Sequence, residues 1–152
     1  MYSKEETSKI RQSFWITFGK YMKPIPSAAG MPVNWVNYKT GVKHIFFRLD
    51  ADKRGASIAI ELAHPDAGLR ELYFEQFQAV KPLLTEALGE EWEWQANTTN
   101  DDNQPLSRIA KTTTGVSIFK QEDWPAIISF LKPRLMALDQ FWSDVKPIFE
   151  AL

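Results

Sequence analysis

The chain contains no cysteine. Disulfides, thiolate nucleophiles, cysteinyl zinc sites and iron–sulfur ligation are therefore excluded. Histidine is almost as scarce: His44 and His64 are the only two, distant in sequence, too few for a metal centre built mainly from imidazole. Read individually, His44 belongs to the less buried face of a strand and His64 to a turn. The seven glycines are scattered, giving neither a P-loop nor a GxGxxG fingerprint, and no GxSxG elbow occurs. A basic excess is missing too. Lys and Arg number 18 against 19 Asp and Glu, a net charge of −1 that argues against sequence-independent nucleic-acid binding. No apolar run approaches the ~18 residues of a membrane span. The segment Met1 to Arg11 is charged and lacks the apolar centre of a secretory signal. The expectation is a cytoplasmic protein with no membrane partner.

Aromatic residues are what the chain has in abundance. They make up 13% of it, with six Trp and ten Phe, which predicts a core or an interface carried by large flat side chains. A length of 152 residues fits a single domain over 1–152. Folding at that size buries roughly 70% of the unfolded surface, enough for a core without covalent staples.

Ser3-Lys4-Glu5-Glu6 reads as a capping box opening a helix over Lys4 to Lys23, with Ile10, Phe14, Phe18 and Tyr21 as its stripe. Pro24 and Pro26 end it. Three strands then fall at hairpin spacing: Val33 to Tyr38, Val42 to Leu49 and Ala56 to Leu62. Asp66 caps a second helix whose stripe is Leu69, Tyr73, Phe77, Val80, Leu84 and Leu88. Pro82 should kink that helix, and Gly89 closes it. Glu90 to Asn97, Leu106 to Lys111 and Val116 to Phe119 read as three more strands. A last helix starts near Asp123 with Pro125 in its first turn and a stripe from Ile128 to Phe149. The expected class is α+β: a largely antiparallel sheet of about six strands with three main helices, in the order α-βββ-α-βββ-α.

A helix, three strands, a helix and a further strand is also the core order of the PD-(D/E)xK nucleases. In those enzymes carboxylates hold Mg²⁺ while a lysine assists the attacking water. Here Asp50 or Asp52 would supply the first acid and Glu61 the second. Glu61 is followed by Leu62 and Ala63, so the lysine is missing and only Lys53 could stand in from the turn. Mg²⁺ is expected only under that reading; otherwise no cofactor and no metal. Trp92 and Trp94 share one face of an alternating segment and could stack bases or sugars, although same-face strand aromatics ordinarily belong to a core. The strand rise places Glu61 beyond shared-metal distance of Asp50.

Four segments carry a family resemblance. They are Ile10-Arg11-Gln12-Ser13-Phe14-Trp15, Asn34-Trp35, Leu88-Gly89-Glu90-Glu91-Trp92-Glu93-Trp94, and Trp124-Pro125. Together they resemble the bacterial domain-of-unknown-function family 4268 over nearly the whole chain. The resemblance implies relatives that stand alone or sit in larger proteins linked to nuclease or restriction-type systems. It implies no catalytic residue. The functional expectation is a non-catalytic interaction domain that pairs with itself or another protein, with a degenerate or atypical nuclease as the alternative.

Overall fold

The computed structural model describes residues 2–152. Its element ends are set by local chemistry. Ser3 Oγ accepts the Glu6 amide at 3.1 Å and Glu6 Oε1 accepts the Ser3 amide, opening α1 (Lys4–Met22). Phe14, Phe18 and Met22, each four residues apart, are the buried stripe of α1; Tyr21 stands exposed instead of completing it. Asp66 Oδ1 accepts the Leu69 amide and starts α2 (Ala67–Ala79). The single kinked helix expected through Leu88 is two helices. Val80 leaves the helical region, and α3 (Lys81–Leu88) restarts with Pro82 in its first turn, where a missing N–H costs nothing. Gly89 closes α3 at φ 69°. A 3₁₀ turn, Gln121–Asp123, leads into α4 (Trp124–Glu150), 27 residues with Pro133 and Pro147 inside.

Four strands form one antiparallel sheet: β1 (Ile45–Ala51), β2 (Gly55–Leu62), β3 (Glu93–Thr99) and β4 (Pro105–Thr114), in the order β1-β2-β4-β3. Among the described residues the expected six strands and three helices are therefore corrected to four and four, in the order α-ββ-α-α-ββ-α. The two missing strands have one physical cause. In residues 33–38 the Asn37 amide donates to the Asn34 side chain, and the Trp35 indole N–H to the Ile25 carbonyl. In residues 116–119 the Ser117 and Phe119 amides donate to Asp123 Oδ2 and Ser117 Oγ, and the Ile118 amide to the Asp52 carbonyl. Of these, the Asn37, Ser117 and Phe119 amides are donors a ladder would need that side chains have taken.

One face of the sheet carries the core. Ile45 and Phe47 from β1, Ile58, Ile60 and Leu62 from β2 and Ile109 from β4 join residues of all four helices in one cluster. Ala59, Leu106 and Ala110 are buried but stand outside that cluster, on the opposite face. The long connection between α1 and β1 has no regular structure and is tied to α4. Asp139 accepts the Tyr38 hydroxyl at 2.6 Å and the Ala28 amide at 2.7 Å, while the Trp142 indole N–H donates to the Thr40 carbonyl. Among the described residues no helix is long and apolar enough to cross a membrane.

Candidate interaction edge

The carboxylates singled out in the sequence do not converge. Asp50 pairs with Ser57 and Glu61 with Phe46, so the two acids lie four strand positions apart, about 13 Å along the sheet. Glu61 is held between two arginines on the face away from the helices, 3.5 Å from Arg48 Nε and 3.6 Å from Arg108 Nε. Asp52 shapes the β1–β2 turn: its Oδ1 accepts the amides of Arg54 at 2.7 Å and Gly55 at 3.0 Å. The Arg54 hydrogen bond outweighs partial burial and holds this carboxyl below its ordinary range, helped by Gly55 and by the charges of Arg11 and Arg54. Lys53 is exposed at the tip of the turn. Among the described residues no three metal-ligating side chains gather.

Trp92 and Trp94 are not displayed. Trp92 is buried in the core cluster, and its indole N–H donates to Glu90. Trp94 meets Phe74 of α2 edge-on at 5.7 Å, with Lys81 Nζ 5.3 Å above its ring.

His44 and His64, distant in sequence, stand edge to face with ring centroids 4.5 Å apart. The β1–β2 ladder brings them together, because the Ala63 amide donates to the His44 carbonyl. Partial desolvation, then the neighbouring His64 and Lys43, push the His44 imidazole below its ordinary value. His64 Nδ1 already accepts the Asp66 amide at 2.9 Å.

The sheet offers two outer edges, and they differ. The β3–β4 register is irregular between Gln95 and Thr98, and such a break blunts an edge. The β1–β2 register runs without a break from Ile45 to Ala51. In an antiparallel ladder alternate residues exchange hydrogen bonds with the neighbour. His44 and Asp52 bond to the β2 side, as shown by Ala63 N to His44 O and Asp52 N to Gly55 O, both 2.9 Å. The intervening set, Ile45, Phe47, Leu49 and Ala51, therefore aims its N–H and C=O groups outward.

Both ends of that outward row are occupied. The Ile45 amide donates to the Val42 carbonyl, the Ile45 carbonyl accepts Thr40 Oγ1 at 2.7 Å, and the Ala51 carbonyl accepts Arg11 Nη1 at 2.7 Å. Between them the N–H and C=O of Phe47 and Leu49 find no partner among the described residues. A groove of about 680 Å³ runs alongside, bounded by residues 36–44 of the connection and by residues 45–49. Arg48 and Asp50 flank Leu49 on the open face of the sheet, both exposed. Arg48 lies over the Phe46 ring at 4.1 Å, and Asp50 has no ion-pair partner among the described residues. Sequence reasoning missed this edge, because which strand lies outermost depends on β2 pairing with distant β4.

The family described as "Domain of unknown function (DUF4268)" matches residues 10–146 of the chain. No curated protein and no solved structure matches it.

Proposed function

The chain belongs to the DUF4268 family, and we propose that it is a non-catalytic interaction domain that pairs with a second copy of itself through the edge of β1. The observation that carries this reading is the pair of outward-facing residues, Phe47 and Leu49, whose backbone groups are free on an unbroken edge. A second β1 laid antiparallel with Leu49 opposite Leu49 pairs the two Leu49 residues across a two-fold axis. It also sets Phe47 opposite Ala51 of the other copy, whose carbonyl then accepts a second hydrogen bond beside that of Arg11. That register also sets Arg48 of each copy opposite Asp50 of the other. Asp50, without an ion-pair partner among the described residues, thus gains an arginine that in the single chain contacts Glu61, once from each copy. The separation of Asp50 from Glu61, and the two arginines that engage Glu61, favour this reading over a nuclease. We place the protein in the cytoplasm, which its cysteine-free composition permits.

The test is sedimentation equilibrium across protein concentration. The parent chain should be dimeric at about 100 μM, a level at which even micromolar self-affinity is saturated. Leu49→Pro removes an outward N–H at a position where an edge strand tolerates proline. Asp50→Arg sets like charges against Arg48 of the second copy. Both variants should be monomeric with unchanged circular dichroism. A monomeric parent, or a dimer that persists in both variants, overturns the proposal.

A further inference from the structure

The bulk charge is close to neutral, but one part of the surface is not. The β1–β2 turn, the start of α1 and the segment after β4 border an open cleft of about 790 Å³, within the range of small-molecule sites. Four of its lining side chains are cations: Arg11, Lys53, Arg54 and Lys120. None of the four forms an ion pair among the described residues. The one lining carboxylate, Asp52, is turned back on the amides of its own turn. Four cations against one carboxylate, in a chain whose net charge is −1, make a concentrated positive site.

The same cleft has an aromatic wall. Phe119 lines it with Tyr2, their ring centroids 5.8 Å apart, and the Arg11 guanidinium lies 5.4 Å from the Phe119 ring. Arg11 is fixed in place by its hydrogen bond to the Ala51 carbonyl. Lys53, Arg54 and Lys120 are exposed and free to move onto a ligand. Thr7 adds a hydroxyl to the lining. Cations beside a flat apolar wall match a ligand with phosphate at one end and a planar ring at the other.

We infer that this cleft binds a phosphorylated nucleoside. Its phosphates sit among Lys53, Arg54 and Lys120, and its ring lies against Tyr2 and Phe119. The site meets the β1 edge only at Arg11, through the Ala51 carbonyl, and none of its lining side chains belongs to that strand. A free nucleotide and the phosphorylated end of a single strand share this chemistry.

Calorimetric titration of the full chain at about 50 mM salt, where surface charges are weakly screened, tests the inference. Adenosine triphosphate should bind with Kd of about 10–100 μM, the range a few charge-assisted contacts support. Inorganic pyrophosphate should bind at least about fivefold more weakly, through loss of the ring contact. The Arg54→Ala/Lys120→Ala variant truncates two exposed side chains and should weaken the triphosphate at least about tenfold. A 5′-phosphorylated single strand that binds where its unphosphorylated counterpart does not assigns the ligand to a strand end. Binding of the triphosphate alone assigns it to the free pool, and either supports the site. No triphosphate binding below about 1 mM, equal affinity for pyrophosphate, or an unchanged affinity in the double variant overturns it.

Discussion

Trp92 shows how one side chain joins two kinds of stabilisation. Its ring is 6% exposed, and its indole N–H donates to Glu90 Oε2 at 2.8 Å. Arg134 grips the same carboxylate with Nε at 2.8 Å and Nη2 at 3.0 Å, a bidentate geometry. Burial alone would raise the Glu90 carboxyl. The hydrogen bonds from Arg134 and Trp92, with the charges of Arg134 and Lys111, outweigh it and hold the group below its ordinary value. Trp92→Ala should therefore cost about 3–5 kcal/mol in denaturant melts, the usual range for emptying a large aromatic site. A loss below about 1 kcal/mol would mean that the ring is not part of the core. The burial of Trp92 was legible in the alternation of Trp92 and Trp94 with Glu91 and Glu93. The Glu90–Arg134 pair was not, because it joins a loop to a helix 44 residues away and no local period links them.

The helix ends set by Ser3, Asp66 and Gly89 were the most legible part of the fold, and two glycines show where legibility stops. Gly89 reads as a helix stop because the left-handed conformation is cheap only without a Cβ, and it lies at φ 69°. Gly55 reads only as the end of a turn. Its backbone lies so close to β4 that a Cβ would stand 1.9 Å from the Thr113 carbonyl oxygen and 3.0 Å from its carbon. The two positions should respond differently to alanine. Gly89→Ala has open space around it and should cost about 1 kcal/mol through its backbone angle alone. Gly55→Ala must push two strands apart and should cost about 3 kcal/mol, at the upper end of overpacking, read from the same melts. Equal costs would refute the close approach. The strands expected at 33–38 and 116–119 failed for a related reason. Alternation of apolar residues records which faces could be buried, not whether Asn34, Ser117 or Asp123 will claim the backbone donors first. The candidate edge was equally illegible locally: Leu49 looks the same in sequence whether β1 lies inside a sheet or at its margin.

Across the whole molecule, α4 holds together parts that have no regular structure of their own. Asp139 is 5% exposed, and through it the Tyr38 hydroxyl and the Ala28 amide anchor the connection between α1 and β1. Burial first, then the hydrogen bond and negative charge of Asp139, push the Tyr38 phenol well above its ordinary value of 10. The unfolded chain releases this proton near pH 10 while the folded chain keeps it. The associated stability is thus complete below pH 10 and is lost progressively as pH rises beyond it. Melts at about pH 9 and pH 11 should show that loss in the parent, and a smaller loss in Tyr38→Phe, where no proton remains to be released. Identical losses would mean that folding does not hold the proton of this phenol.

The strand order has a consequence in time as well as in space. Each hairpin, β1–β2 and β3–β4, closes through a short turn, and such units assemble within about 1–10 μs. The ladder that joins them pairs Leu62 with Ser107 and Gly55 with Thr114, across the whole of α2 and α3. Closing a loop of that length costs entropy before any contact repays it, so docking of the two hairpins is the step expected to limit the folding rate. Until they dock, the inner margins of β2 and β4 lie bare in the nascent chain, and during synthesis β2 waits for β4 to emerge. That interval is when mispairing between chains is most dangerous.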